Sequence, residues 1–120
     1  MSNMMRIFTV CFSCLLLGLS GCESDRFDHT PPAGQGTLIV DNLTSDTLLV
    51  YVDGHGVFDV SDNDHELIDL EPGVCRVVID EKNGFHSYAD YTDILDGQLT
   101  VLEVDGYSSA NTYSVKVYYD

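Results

Sequence analysis

Between positions 59 and 66 the chain sets Asp59, Asp62, Asn63, Asp64 and Glu66 in one polar stretch. Ca²⁺ is held by about six to eight oxygen ligands, and carboxylates this close in sequence can supply several of them. The spacing is not the D-x-D-x-D-G of an EF-hand loop. A solvated acidic loop is therefore the first reading. A calcium site built on Asp59, Asp62, Asp64 and Glu66 is the alternative, and no other cofactor is expected.

Histidine and cysteine offer different chemistry. His29, His55, His65 and His86 form neither H-x-H nor H-E-x-x-H. Zinc would need ligands that the fold gathers from separate loops, so surface histidines are the simpler reading. A reactive thiol needs an electropositive, accessible setting. Cys75 sits among apolar residues in a chain poor in Lys and Arg, which suits a buried structural cysteine. No G-x-S-x-G elbow, P-loop or dinucleotide fingerprint occurs, so no catalytic residue is assigned and no enzyme is expected. Tyr88, Tyr91, Tyr107 and Tyr118, with Tyr51 as a further member, are candidates for an exposed aromatic surface. Such rings beside carboxylates stack on sugars or anchor a protein partner. Tyrosine also simply suits strands and half-buried edges.

The elements that must carry these side chains are short apolar runs between turn signals. The runs are Thr37 to Asp41, Thr47 to Val52, Val57 to Val60, Glu66 to Leu70, Val74 to Asp80, His86 to Ile94, Leu99 to Val104 and Thr112 to Tyr119. Asp53-Gly54, Pro72-Gly73, Asn83-Gly84 and Asp96-Gly97 punctuate them. No window has apolar residues at helical spacing, and Val, Ile, Thr and Tyr dominate. The pattern predicts an all-β fold: a small antiparallel β-sandwich of about seven or eight short strands. Strand parity puts Cys75, Val77 and Ile79 on one face, and likewise Tyr113, Val115, Val117 and Tyr119.

Gly36-Thr37-Leu38-Ile39-Val40, Val50-Tyr51-Val52-Asp53-Gly54, Leu70-Glu71-Pro72-Gly73 and Val77-Val78-Ile79 follow one another in an order that resembles the PEGA domain family. Gly97-Gln98-Leu99-Thr100 is similar to that family's closing turn and strand. The likeness covers residues 36–104, but Leu43-Thr44-Ser45-Asp46 stands where the family has its eponymous turn. The resemblance implies a prealbumin-like sandwich of the bacterial envelope that serves as a binding or spacing module. It brings no catalytic residues.

Before this region, Arg6 precedes a mostly apolar run from Ile7 to Leu19, the layout of a secretory signal peptide. The run is shorter than the roughly 20 apolar residues that span a bilayer. It ends in Leu19-Ser20-Gly21-Cys22, which resembles the lipobox of bacterial lipoproteins. The resemblance implies cleavage before Cys22 and acylation of that cysteine. It also implies a cell-envelope location, with Glu23 favouring the outer membrane where the source has two. The expected organisation is a signal peptide at 1–21, the lipidated cysteine and a flexible Pro- and Gly-containing tether at 22–36, and the β domain at 37–120. Cys11 and Cys14 would leave with the signal peptide, so Cys75 would have no intramolecular disulfide partner.

Charge narrows the partners. The 120 residues hold 5 Lys+Arg and 20 Asp+Glu, a net charge of −15. Removing residues 1–21 takes away Arg6 and no acid. A body this acidic has no basic patch for nucleic acid and is not drawn to anionic lipid. The membrane is thus expected as a partner only through the lipid on Cys22, beside an unidentified protein or polysaccharide. The expected function is a lipid-anchored, non-catalytic binding or accessory module. A calcium-dependent surface adhesion module is the first alternative and an uncharacterised envelope enzyme the last.

Overall fold

The computed structural model describes residues 27–120. The expected signal peptide at 1–21, Cys22 and the first part of the tether lie outside the described residues. Eight strands follow in chain order: β1 (Gly36–Asn42), β2 (Leu48–Val52), β3 (Gly56–Val60), β4 (His65–Leu70), β5 (Gly73–Glu81), β6 (Ser87–Ile94), β7 (Leu99–Ser109) and β8 (Thr112–Tyr119). Each grows from one of the apolar runs, and β7 continues five residues beyond Val104.

The expected antiparallel sandwich is corrected by the pairing of these strands. They form one eight-stranded sheet in the order β3-β2-β5-β6-β8-β7-β1-β4. The sheet curls into a nearly closed barrel, in which the edge strands β3 and β4 approach each other without a hydrogen-bonded ladder. It is also mixed. β1 runs parallel to β7 from Thr37↔Leu99 to Asn42↔Val104. β6 meets β8 in parallel at the single pair Ser87↔Thr112, where the Ser87 N–H also donates to the Asn111 carbonyl at 3.0 Å. The physical reason for the miss is that alternation within a strand identifies its buried face, but not whether that face looks onto a second sheet or into the same sheet curled.

Inside the curl lie Leu38, Val40, Val50, Val77, Leu102 and Tyr113, all essentially inaccessible. β1 is buried at all seven positions. Its alternate residue Ile39 belongs to a second, outer cluster with Leu99, Val101 and Phe27, against which Tyr118 packs. A strand covered on both faces needs no polar alternation, hence the unbroken Leu38-Ile39-Val40.

The outer cover comes from the segment expected as tether, which lies against the sheet from Phe27 onward. Phe27 is 5% exposed and meets the His65 ring edge-on at 4.9 Å. Burying a Phe side chain contributes about 1.5–3 kcal/mol. His29 Nε2 lies 2.8 Å from Asp69 Oδ1, and the Thr37 hydroxyl donates to the same oxygen at 2.6 Å. This cover also explains β8. Tyr113 is buried and Val115 packs against the inner core, as parity predicts. Nearer the end of β8, Val117 and Tyr119 are exposed and Tyr118 is held by the outer cluster instead.

Candidate functional site

The five-residue loop between β1 and β2 is built on Asn42, whose side chain is wholly buried. Its Nδ2 donates to the carbonyls of Asp46 (2.7 Å), Ser61 (3.0 Å) and Val60 (3.3 Å). Its Oδ1 accepts from the Thr44 N–H at 2.9 Å and the Thr44 hydroxyl at 2.6 Å. Thr44 Oγ1 in turn accepts from the Asp46 N–H at 3.1 Å. Buried backbone groups must find partners, and one amide side chain here supplies several of them. The loop is thereby fixed, and Asp46 with it.

The Asp46 carboxylate meets β7 and β8. Its Oδ2 accepts from the Tyr107 hydroxyl at 2.8 Å and from the Tyr113 hydroxyl at 3.1 Å. Tyr107 reaches it because β7 is irregular. The register passes from Val104↔Val115 to Gly106↔Ser114 and Tyr107↔Tyr113, which leaves Asp105 as an extra residue. Without that bulge Tyr107 would alternate away from the Tyr113 side. Gly106 sits at φ 146°, a conformation that side-chain-bearing residues rarely adopt.

The third contribution is the turn joining β5 to β6. The Glu81 N–H donates to the His86 carbonyl at 2.8 Å. The Glu81 side chain folds back over the turn, so that Oε1 lies 2.7 Å from His86 Nδ1 and accepts from the His86 N–H at 3.3 Å. It occupies the space where a Cβ on residue 84 would stand, so Gly84 leaves room for it. The His86 ring stacks on Tyr107, with centroids 4.0 Å apart and planes 20° from parallel. Tyr113 lies 5.5 Å from His86 and 5.7 Å from Tyr107.

The electrostatics follow from these bonds. Hydrogen bonds from the His86 ring and N–H hold the Glu81 carboxyl below its ordinary value. The hydrogen bond to Asp46 pushes the Tyr107 phenol up. Burial, then the bond to Asp46, pushes Tyr113 up much further. Both tyrosines are thus neutral donors beside two carboxylates. The site's surroundings hold little compensating charge. Among the described residues Lys82 pairs with Asp59 and Lys116 with Glu103, while Glu81 has only His86. Asp46, Glu81 and His86 each offer one ligand atom, and those atoms all lie within 4.8 Å of one another.

Loops and strands far apart in sequence meet here, and single-strand patterns do not carry that signal. One clue lies in Gly106, just past the Leu99 to Val104 run, since a glycine within a strand commonly marks a bulge. The residues singled out from sequence are placed differently. Asp59 accepts from Lys82 Nζ at 2.7 Å, and Asp62, Asp64 and Glu66 are exposed. None of the four belongs to the three-residue metal-ligating group found among the described residues. Of the tyrosines, Tyr88 packs half-buried against the inner core, Tyr91 is 66% exposed, Tyr118 packs on the outer cluster and Tyr107 belongs to the site. They do not share one row. Cys75 is a free thiol, half-buried against the inner core, and burial raises its pKa. An open depression elsewhere is lined by Tyr51, Asp53, Arg76 and Val78.

No known protein-family model and no curated protein sequence matches this chain.

Proposed function

We propose that the chain is a lipid-anchored protein of the cell envelope whose β domain is a non-catalytic binding or accessory module. Binding takes place at the end where the β1–β2 loop, the β5–β6 turn and the β7–β8 hairpin meet. The observation that carries this reading is the half-exposed Tyr107 ring, stacked on His86 above a carboxylate fixed by two phenols. A preorganised aromatic face beside a fixed acceptor suits a sugar or a protein side chain, because little order is lost on binding. The anchor rests on Leu19-Ser20-Gly21-Cys22, and an outer-membrane address rests on Glu23. A polar module held by two or more acyl chains stays at a membrane without charge attraction.

The test is palmitate labelling and membrane fractionation of cells making the full chain or its Cys22→Ala variant, each with a photocrosslinker at position 85, where the exposed Phe85 stands in the β5–β6 turn. Labelling, membrane partition and a discrete crosslinked product are expected, with label and partition lost in Cys22→Ala. The product is expected to disappear in Tyr107→Ala. Label that persists in Cys22→Ala overturns the anchor, and a product indifferent to Tyr107→Ala overturns the binding end.

A further inference from the structure

Two carboxylates and an imidazole from three separate elements meet at the Asp46 end. No Lys or Arg among the described residues pairs with either acid. We propose that Asp46, Glu81 and His86 bind a divalent transition-metal ion. This rests on the reading of that end as the binding end and names its ligand class.

The donor set selects the class of ion. One imidazole nitrogen with two carboxylate oxygens suits Zn²⁺ and its neighbours. Ca²⁺ and Mg²⁺ take oxygen donors almost exclusively. Bonds of about 2.0–2.2 Å in a tetrahedral site put ligand atoms roughly 3.4 Å apart. The present atoms lie within 4.8 Å, so the widest pair closes by at most about 1.4 Å while the 2.7 Å pair of His86 Nδ1 and Glu81 Oε1 opens, shifts that side-chain rotation supplies. The metal takes the place of the hydrogen between His86 Nδ1 and Glu81 Oε1, and that proton leaves to solvent. Three protein ligands leave a fourth position for water or for a donor from a bound partner.

The surroundings act on the ligands as outer partners of a metal site do. The Tyr107 and Tyr113 hydroxyls hold one Asp46 oxygen, and a carboxylate has a second. Stacking on Tyr107 fixes the plane of the His86 ring. Glycine at 84 admits the Glu81 carboxylate, and any side chain there would displace it. Because the atoms displaced are the far end of a flexible side chain, Gly84→Ala moves the ligand without breaking the backbone. The acidic stretch at 59–66 has none of this support.

The experiment is calorimetric titration of the untagged full chain with ZnCl₂, joined by visible absorption with Co²⁺. One Zn²⁺ per chain is expected, with a Co²⁺ spectrum that Zn²⁺ displaces and that excess Ca²⁺ or Mg²⁺ does not. His86→Ala is expected to weaken Zn²⁺ by at least about tenfold, and Gly84→Ala and Tyr107→Phe by about tenfold each. Circular dichroism of every variant checks the fold, and Gly84→Ala carries the test should His86→Ala unfold. Asp62→Asn with Asp64→Asn is expected to change nothing. No saturable Zn²⁺ binding, or binding indifferent to both His86→Ala and Gly84→Ala, overturns the metal site. The anchored-module reading falls on different results, namely the palmitate label and the Tyr107-dependent crosslink.

Discussion

Asn42 holds the candidate site from a distance. Its amide satisfies three carbonyls and its oxygen two donors of Thr44, all within 3.3 Å. Asn42→Ala strands several of these groups in the interior, each costing about 1–3 kcal/mol. With partial relaxation the expected loss is about 3 kcal/mol, read as a shift in the urea midpoint. A loss under about 1 kcal/mol would mean that the loop satisfies itself. Asp69 gives a pH signature. Hydrogen bonds from Thr37 and then His29 hold its carboxyl below the ordinary 3.8. A depressed carboxyl adds stability that is fully present above its ordinary value. That stability fades as pH falls below 3.8 towards the lowered one. Relative to the intrinsic rate at each pH, amide exchange at residues 27–30 should therefore accelerate below about pH 4, ahead of the barrel core. In Asp69→Asn the acceleration should already be present at neutral pH. Exchange that rises uniformly along the chain would show that no such clamp exists.

Among the elements, β1 and β7 decide most. Gly36 opens β1 against the Leu95 carbonyl and the Ile94 side chain, so a Cβ there meets backbone that cannot move aside. Gly36→Ala should cost about 1–3 kcal/mol in thermal or urea unfolding. An unchanged midpoint would mean that the β6–β7 turn yields. On β7, deleting Asp105 removes the extra residue and leaves Gly106↔Ser114 and Tyr107↔Tyr113 in unbroken register, so Tyr107 stays on the Tyr113 side. The His86 ring signals in NMR should then keep the shift that the stacked phenol imposes, and its loss would show that the bulge itself aims the Tyr107 ring. The eight strands were legible because each holds a short apolar run closed by a turn, most of them rich in β-branched or aromatic residues. The partners of those strands were not legible. β1 and β7 pair across 62 positions, Thr37 with Leu99, and nothing within either strand names the other. The site was hidden for the same reason, since Asp46, Glu81 and His86 come from a loop, a strand end and a turn that only the curl unites. Tyr107 stands out in the sequence as an aromatic, but without its partners.

For the whole molecule the dominant quantity is charge. At −15 the chain repels itself, and salt should raise its melting temperature by screening. Ca²⁺ and Mg²⁺ at matched ionic strength should behave alike, and Asp62→Asn with Asp64→Asn should only ease repulsion. A saturable rise specific to Ca²⁺ that vanishes in the double variant would restore the acidic stretch as a site. The parallel pair of β1 and β7 has a further consequence, which concerns time. Among the described strands β1 is the first to be synthesised, yet β4 and β7, the two it needs, come fourth and seventh. Local hairpins such as β2–β3 and β5–β6 can close as they are made, whereas pairing over long separations is slow. Until Thr100, Val101 and Leu102 have been made, Leu38-Ile39-Val40 has no ladder on its β7 side. The nascent chain thus carries its most completely buried strand half-paired and available to chaperones, and the barrel sets only when the β7–β8 hairpin arrives.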